Sequence, residues 1–191
     1  VTDEAEMVSR FYKPNDDNYL DFFTCANFLS YTNALRIVRT ADVNTTLNAT
    51  AGGTGLLIQN RHQYEIEYMD FTAPDELGLF AAKYPGVIGN SIKVSMFCAS
   101  GDQTSWDNWP YAQEFDGIPK TSSYVSARGG SNDELHVIVI DEDGKFSGVP
   151  GTVLEKFQFL SKASDATNTD GTPNYYVNVI AQKSQYIYII N

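Results

Sequence analysis

Residues 133–148, "DELHVIVIDEDGKFSG", constrain the fold most: a short apolar run enters and leaves through charged residues and reaches an Asp-Gly pair. An unbroken run of β-branched residues closed by turn residues predicts a strand, a tight turn and the start of a partner strand. The next segment, "TVLEKFQFLSK", fits either period. Val153, Phe157 and Leu160 suit a helix, whereas Val153, Phe157 and Phe159 suit a strand. The hairpin signal before it decides for strand.

Helical patterns alternate with strands along the rest of the chain. "NDDNYLDFFTCANFLSYTN", residues 15–33, predicts a helix with Asn15, Asp16 and Asp17 as caps and Asn33 as a stop. Tyr19, Phe22, Phe23, Ala26 and Leu29 share one face, while Leu20, Phe28 and Tyr31 add apolar surface elsewhere. Such a helix is packed from two directions, in a core or at a subunit contact. "ALRIVRT" predicts a strand over 34–40, and "ADVNTTLNATAGGTG", residues 41–55, a long polar surface loop.

In "QYEIEYMD", Tyr64, Ile66 and Tyr68 alternate with Glu65 and Glu67, the pattern of a half-exposed strand. "PDELGLFAAKYPG" predicts a short helix ended by Pro85 and Gly86, and "NSIKVSMF" a strand with Ile92, Val94 and Met96 inward. Near the end, Thr172 and Pro173 are expected to cap a helix over "NYYVNVIAQK", with a strand in "SQYIYII". The expected class is α/β in the mixed α+β sense: a layered mixed β-sheet packed by helices, forming one domain over 1–191.

Composition narrows the partners. Thirteen Lys and Arg face twenty-four Asp and Glu, a net charge of -11, and no basic run occurs. That field repels a phosphate backbone and an anionic membrane surface, so neither nucleic acid nor membrane is an expected partner. No apolar stretch reaches the about 18 residues a spanning helix needs. The chain starts at Val1 without a signal-peptide pattern and is expected to be a piece or a processed form of something longer.

Each stretch that suggests chemistry has a plainer reading. Around Lys83, Gly86 and Gly89, "AAKYPGVIGNS" looks like a phosphate loop, but Lys83 precedes the glycines and the expected order is helix, loop, strand. A phosphate loop needs the reverse order, so the expectation is a helix stop followed by two tight turns. Asp141 and Asp143 could begin a calcium loop, yet its fifth and twelfth positions would be Lys145 and Thr152. A hairpin turn fits better.

His62 and His136 have no zinc spacing and no neighbouring nucleophile motif. His136 is expected to pack in or rim a strand. Cys25 and Cys98 are expected to pack rather than pair. Two glycosylation-type sequons, at Asn44 and Asn48, carry little weight in an Asn/Thr-rich segment. No catalytic residue, cofactor or metal site is expected, and the chain is not expected to be an enzyme. Trp106, Trp109 and Tyr111 form an aromatic patch that could either cover a core or offer a carbohydrate- or protein-binding platform outside the cell.

"FYKPNDDNYLDFFTCANFLSYTNALRIVRT" resembles the contractile tail sheath proteins of bacteriophages, in which a motif like "FG-P-D--Y--FF-A-NFL-Y-N-L-VVR" precedes an Asn/Ala-rich loop. Phe80 to Val94 resemble that family's "EFAAKYPGVWGNSLKV"-type segment. "TSSYVSARGGSNDELHVIVIDEDGKFSGVPGTVLEKF" and "NYYVNVIAQKSQYIYI" resemble its next blocks in T-even-like phages, especially those of marine cyanobacteria. One departure is Tyr12, where the family usually has Gly.

The resemblance implies a middle fragment of a sheath subunit that lacks the strand-exchanging terminal regions. The 41–55 loop would stand in place of a variable outer domain. It further implies a virion protein made in the host cytoplasm, with other sheath subunits and the tail tube protein as partners. The fragment alone would be monomeric.

Overall fold

The computed structural model describes residues 1–40, 42, 46–69, 76–99 and 102–190. It comprises two compact units, Val1–Asp42 and Val43–Asn191. Together they make a mixed α/β fold, as the sequence predicts.

In the first unit, α1 (Glu4–Phe11) starts at Asp3, whose side chain accepts from the Glu6 N–H. The Glu6 carboxylate reaches back to the Thr2 N–H and hydroxyl at 2.7 and 2.9 Å. Asp-x-x-Glu is a capping signal, and it marks a helix that apolar periodicity alone does not. Tyr12 ends α1 at φ 67°, ψ -178°. Only glycine adopts that conformation without strain, so the departure from glycine at this position falls on a strained backbone. Helix α2 (Tyr19–Leu29) follows as expected, with Asn18 rather than an earlier residue as its cap. The Asn15 side chain instead accepts from the Asp17 and Asn18 N–H groups and shapes the entry turn. The strand expected over 34–40 does not form: those residues carry no regular secondary structure, although Leu35 exchanges backbone hydrogen bonds with Val1. Among the described residues no strand ladder grows from that pair.

Among its short helices the second unit holds α4 (Gln103–Asn108) and α5 (Ser123–Ser126), and it has two antiparallel sheets. β1 (Asn48–Thr50), β2 (Phe80–Pro85) and β6 (Ile187–Ile189) form one in the order β1-β2-β6. β3 (Ile92–Cys98), β4 (Glu134–Asp141) and β5 (Thr152–Ser161) form the other, with β4 central. The hairpin expected from "DELHVIVIDEDGKFSG" is the β4–β5 pair, joined by residues 142–151. β4 is buried on both faces, which explains its unbroken apolar run. Leu135, Val137 and Val139 pack with Phe80, Ile187 and Ile189 and with α6 (Tyr176–Lys183). Ile138 and Ile140 face the other way, against Phe97, Trp106, Ala112 and Phe115.

Three local expectations are corrected. Residues 61–68 are helical: α3 (Arg61–Gln63) runs into a wide turn of helix over Tyr64–Tyr68. Asn60 caps it by accepting from Gln63 N–H at 2.9 Å, and Arg61–Glu65 and Gln63–Glu67 pair four residues apart at 2.6 and 2.9 Å. Those pairings and the cap outweigh the alternation. Tyr64 is the buried anchor, stacked on Tyr188 with its hydroxyl donating to Ile189 O, and Ile66 is exposed.

Second, Phe80–Pro85 is a strand rather than a helix. Phe80 and Ala81 face opposite clusters, and a short run buried on both sides has no period to read. Third, β1 lies within the expected 41–55 loop. Positions 41 and 43–45 of that loop lie outside the described residues. Thr172 and Pro173 also stand short of α6, whose cap is Tyr175.

Candidate functional site

In the second unit Asp133, His136 and Asp141 are turned inward and bound up by the fold, whereas His62 and Asp143 stand exposed. The stretch around Lys83 runs strand, a short 3-10 turn over Val87–Ser91, then strand. The phosphate-loop reading still fails, but for a new reason: no α-helix begins there, and Lys83 Nζ donates to Ser184 O at 2.5 Å while lying over the Tyr188 ring. Burial pushes its ammonium below the ordinary lysine value. Gly86, at φ 87°, and Gly89 make the turns as expected. A Cβ on Gly89 would lie 2.5 Å from Tyr84 O, too close for any side chain.

Asp141 is fully buried. It accepts from Ser91 Oγ at 2.6 Å, Phe146 N at 2.9 Å, Ser147 N at 2.7 Å and Ser147 Oγ at 2.8 Å. Burial pushes the carboxyl up, but these donors outweigh it and hold the group below the ordinary carboxylate value. Its oxygens therefore organise the 142–151 turn and are not free to ligate calcium. Asp133 does the same for a second turn, accepting from Ser122 N, Ser122 Oγ and Ser161 Oγ. Among the described residues no group of three or more His, Cys, Asp or Glu stands ready to hold a metal.

His136 is buried completely on β4, its ring stacked on Phe115 with centroids 4.4 Å apart. Nδ1 accepts from Phe159 N–H at 3.0 Å, so Nε2 carries the proton and donates to Gly117 O at 2.8 Å. Phe159 stands at φ 53° where the β4–β5 register shifts. The histidine thus plugs a β-bulge. Sequence places His136 on a strand, but nothing in its neighbours marks the bulge it serves.

The aromatic patch covers a core. Trp106 is buried and packs against Phe97 and Trp109, with centroids 5.1 and 5.6 Å away. Trp109 stacks on Phe115 at 5.3 Å and donates its indole N–H to Ser95 Oγ at 2.9 Å. With these faces occupied, Trp106 and Trp109 offer no flat platform for a sugar ring, and the half-buried Tyr111 meets Trp109 edge-on at 5.8 Å. Asn48, in the second sequon, is wholly buried, giving its amide to Ala82 O and accepting from Ile58 N–H. It is no glycan acceptor. Asn44 lies outside the described residues. Cys25 and Cys98 are free and half-buried.

What the molecule leaves to the outside is apolar surface on α2. Phe22 is buried there, whereas Tyr19, Leu20, Phe23 and Phe28 are 47, 68, 52 and 48% exposed, followed by Tyr31 at 91%. Scattered apolar residues are ordinary on a surface; here five large ones lie on and just beyond one helix. Among the described residues the candidate functional site is therefore the exposed apolar side chains of α2.

No protein-family model matches the chain. It is 28% identical over 150 residues to the tail sheath protein of Salmonella phage ViI, across 78% of this chain and 21% of that protein. It is 48% identical over 50 residues to the tail sheath protein of Vibrio phage KVP40, across 26% of this chain and 8% of that one. These matches span about a fifth and less than a tenth of the two relatives. The likeness to phage tail sheath proteins read from the residue blocks is borne out by both.

Proposed function

We propose that this chain is part of a structural subunit of a contractile bacteriophage tail sheath. Its partners are other sheath subunits and the tail tube protein, and its place is the virion, after synthesis in the host cytoplasm. The observation that carries the reading is the similarity to the Salmonella phage protein over 78% of the chain. The occupied polar groups support a scaffold role without a catalytic step. The exposed aromatic face of α2 suits a part that is covered on assembly.

On attachment the sheath shortens and widens and drives the tube through the bacterial envelope. The energy comes from subunits exchanging one packing for a better one. Each moves mostly as a rigid body. The second unit suits that demand, because Asp133, Asp141 and His136 fix its turns and bulge with several hydrogen bonds each. Residues 1–191 act as one sheath-type region, with 41–55 as its variable surface segment, and the isolated chain is a monomer.

Tails purified from the source phage test the reading. Peptides of this chain are expected among the abundant tail proteins, and gold-labelled antibody is expected along the outer cylinder in a band that shortens on contraction. Absence from the tail, or label at one end only, would overturn it. Sedimentation of the isolated chain is expected to give a single monomeric species.

A further inference from the structure

Three Asp-Gly pairs occur, at Asp116, Asp143 and Asp170, and all three aspartates are exposed. In such a pair the aspartate carboxyl carbon can meet the next backbone nitrogen, because glycine puts no Cβ in the way. The fold treats the three pairs differently.

Asp170 is held. Its carboxylate accepts from Thr172 Oγ1 at 2.7 Å and Thr172 N at 2.9 Å, and these donors keep the carboxyl below its ordinary value. The Gly171 N–H is spent on Asn168 O at 3.0 Å. Asp143 is walled in. Gly144 is buried at φ 74°, a Cβ there would lie 2.6 Å from Pro150 N, and its carbonyl accepts from Gly148 N–H at 2.8 Å. Turning that peptide unit would drive it against backbone.

Asp116 is neither held nor walled in. Among the described residues its carboxylate has no hydrogen bond or ion pair, and neither Asp116 O nor Gly117 N–H is hydrogen-bonded. Nothing lies within 4 Å of the place a Gly117 Cβ would take. The groups on either side are fixed: Phe115 is buried against the His136 ring, and Gly117 O accepts from His136 Nε2 at 2.8 Å. The free peptide unit is the one between them.

We propose that Asp116–Gly117 is a self-modification site, where the peptide isomerises through a succinimide to isoaspartate. The Gly117 nitrogen attacks Cγ of the protonated Asp116 carboxyl; a C–N bond forms, and the carboxyl OH and the amide hydrogen leave as water. A second water then opens the ring. Addition at the Asp116 main-chain carbon breaks its bond to Gly117 N and leaves the chain running through Cγ, whereas addition at Cγ restores aspartate. Water is the only co-reactant, and no atom is gained or lost overall. The isoaspartyl chain is longer by one methylene just before Gly117, so it moves the Gly117 carbonyl from His136 Nε2 and unlatches the ring that plugs the Phe159 bulge.

The 191-residue chain is aged at neutral pH in heavy-oxygen water, then digested with trypsin in ordinary water. Asp116, Asp143 and Asp170 fall in separate peptides, 94–120, 129–145 and 163–183. Each passage through the ring leaves one solvent oxygen in the peptide. Label is expected first in 94–120, with fragmentation placing it and isoaspartate at residue 116. Peptide 163–183 is expected to trail by about fivefold, the factor that one hydrogen bond on the Gly171 N–H is worth.

Gly117 lies outside the left-handed region and has open space at its Cβ, so Gly117→Val is expected to fold while shielding the attacking nitrogen. Asp116→Glu keeps the charge and makes the ring one atom larger. Both variants are checked for cooperative unfolding and are expected to lose the label from 94–120. Label arriving first at Asp143 or Asp170, no label in any of the three peptides, or undiminished label in either folded variant would each overturn the proposal.

Discussion

Single residues carry more of this fold than their neighbours in sequence suggest. His136 is the clearest case. Burial pushes its imidazole below the ordinary value of 6.5, against the pull of the Gly117 carbonyl and of the nearby Glu134 and Asp116 charges. A depressed value means that the folded chain prefers the neutral ring. Its contribution is therefore complete above about pH 6.5 and lost as pH falls below it. Asp141 has the same sign in a lower window: its contribution is present above its unfolded value near 3.8 and is lost as pH falls through the depressed folded value. Urea unfolding across pH is expected to show two successive losses, and His136→Gln to remove the first and spare the second.

At neutral pH, His136→Ala is expected to cost about 3 kcal/mol, through the cavity and the orphaned Phe159 N–H. Tyr12 is the opposite case, because its backbone is held where glycine belongs. Tyr12→Gly is expected to stabilise α1, slowing amide exchange there by a factor corresponding to about 1 kcal/mol.

Elements succeed or fail by the turns that join them. The β4–β5 connection depends on Gly144 at φ 74°, where a Cβ would lie 2.6 Å from Pro150 N. Gly144→Ala is expected to cost more than the about 1 kcal/mol of an ordinary left-handed glycine, because backbone rather than a flexible side chain blocks the space. The loss is expected to show as a lowered urea midpoint with an unchanged slope. The hairpin itself is legible in "DELHVIVIDEDGKFSG", because a β-branched run followed by Asp-Gly has few alternatives. The helix over 61–68 is not legible by alternation, since "YEIEY" has apolar residues two apart, and Asn60, Arg61 and Gln63 decide the matter through side-chain bonds.

At the scale of the molecule, the three apolar clusters of the second unit draw only on residues beyond Val43. A chain of 43–191 is expected to unfold cooperatively by itself, with a heat-capacity change in proportion to its size. A broad, non-cooperative melt would refute that. The buried Asp133, Asp141 and His136 are taken up by turns and a bulge, while large apolar side chains of α2 stay exposed.

By itself the sequence determined the mixed class, the β4–β5 hairpin, helices α2 and α6 and the likeness to sheath proteins. All of these rest on local pattern, turn chemistry or matched residue blocks. Only the tertiary structure decided that Trp106 and Trp109 close a core, that Asp141 and Asp133 tie turns, and that Phe80–Pro85 is a strand. Those outcomes depend on which distant groups compete for the same side chain or backbone bond. A competition between residues tens of positions apart leaves no period in the sequence to read.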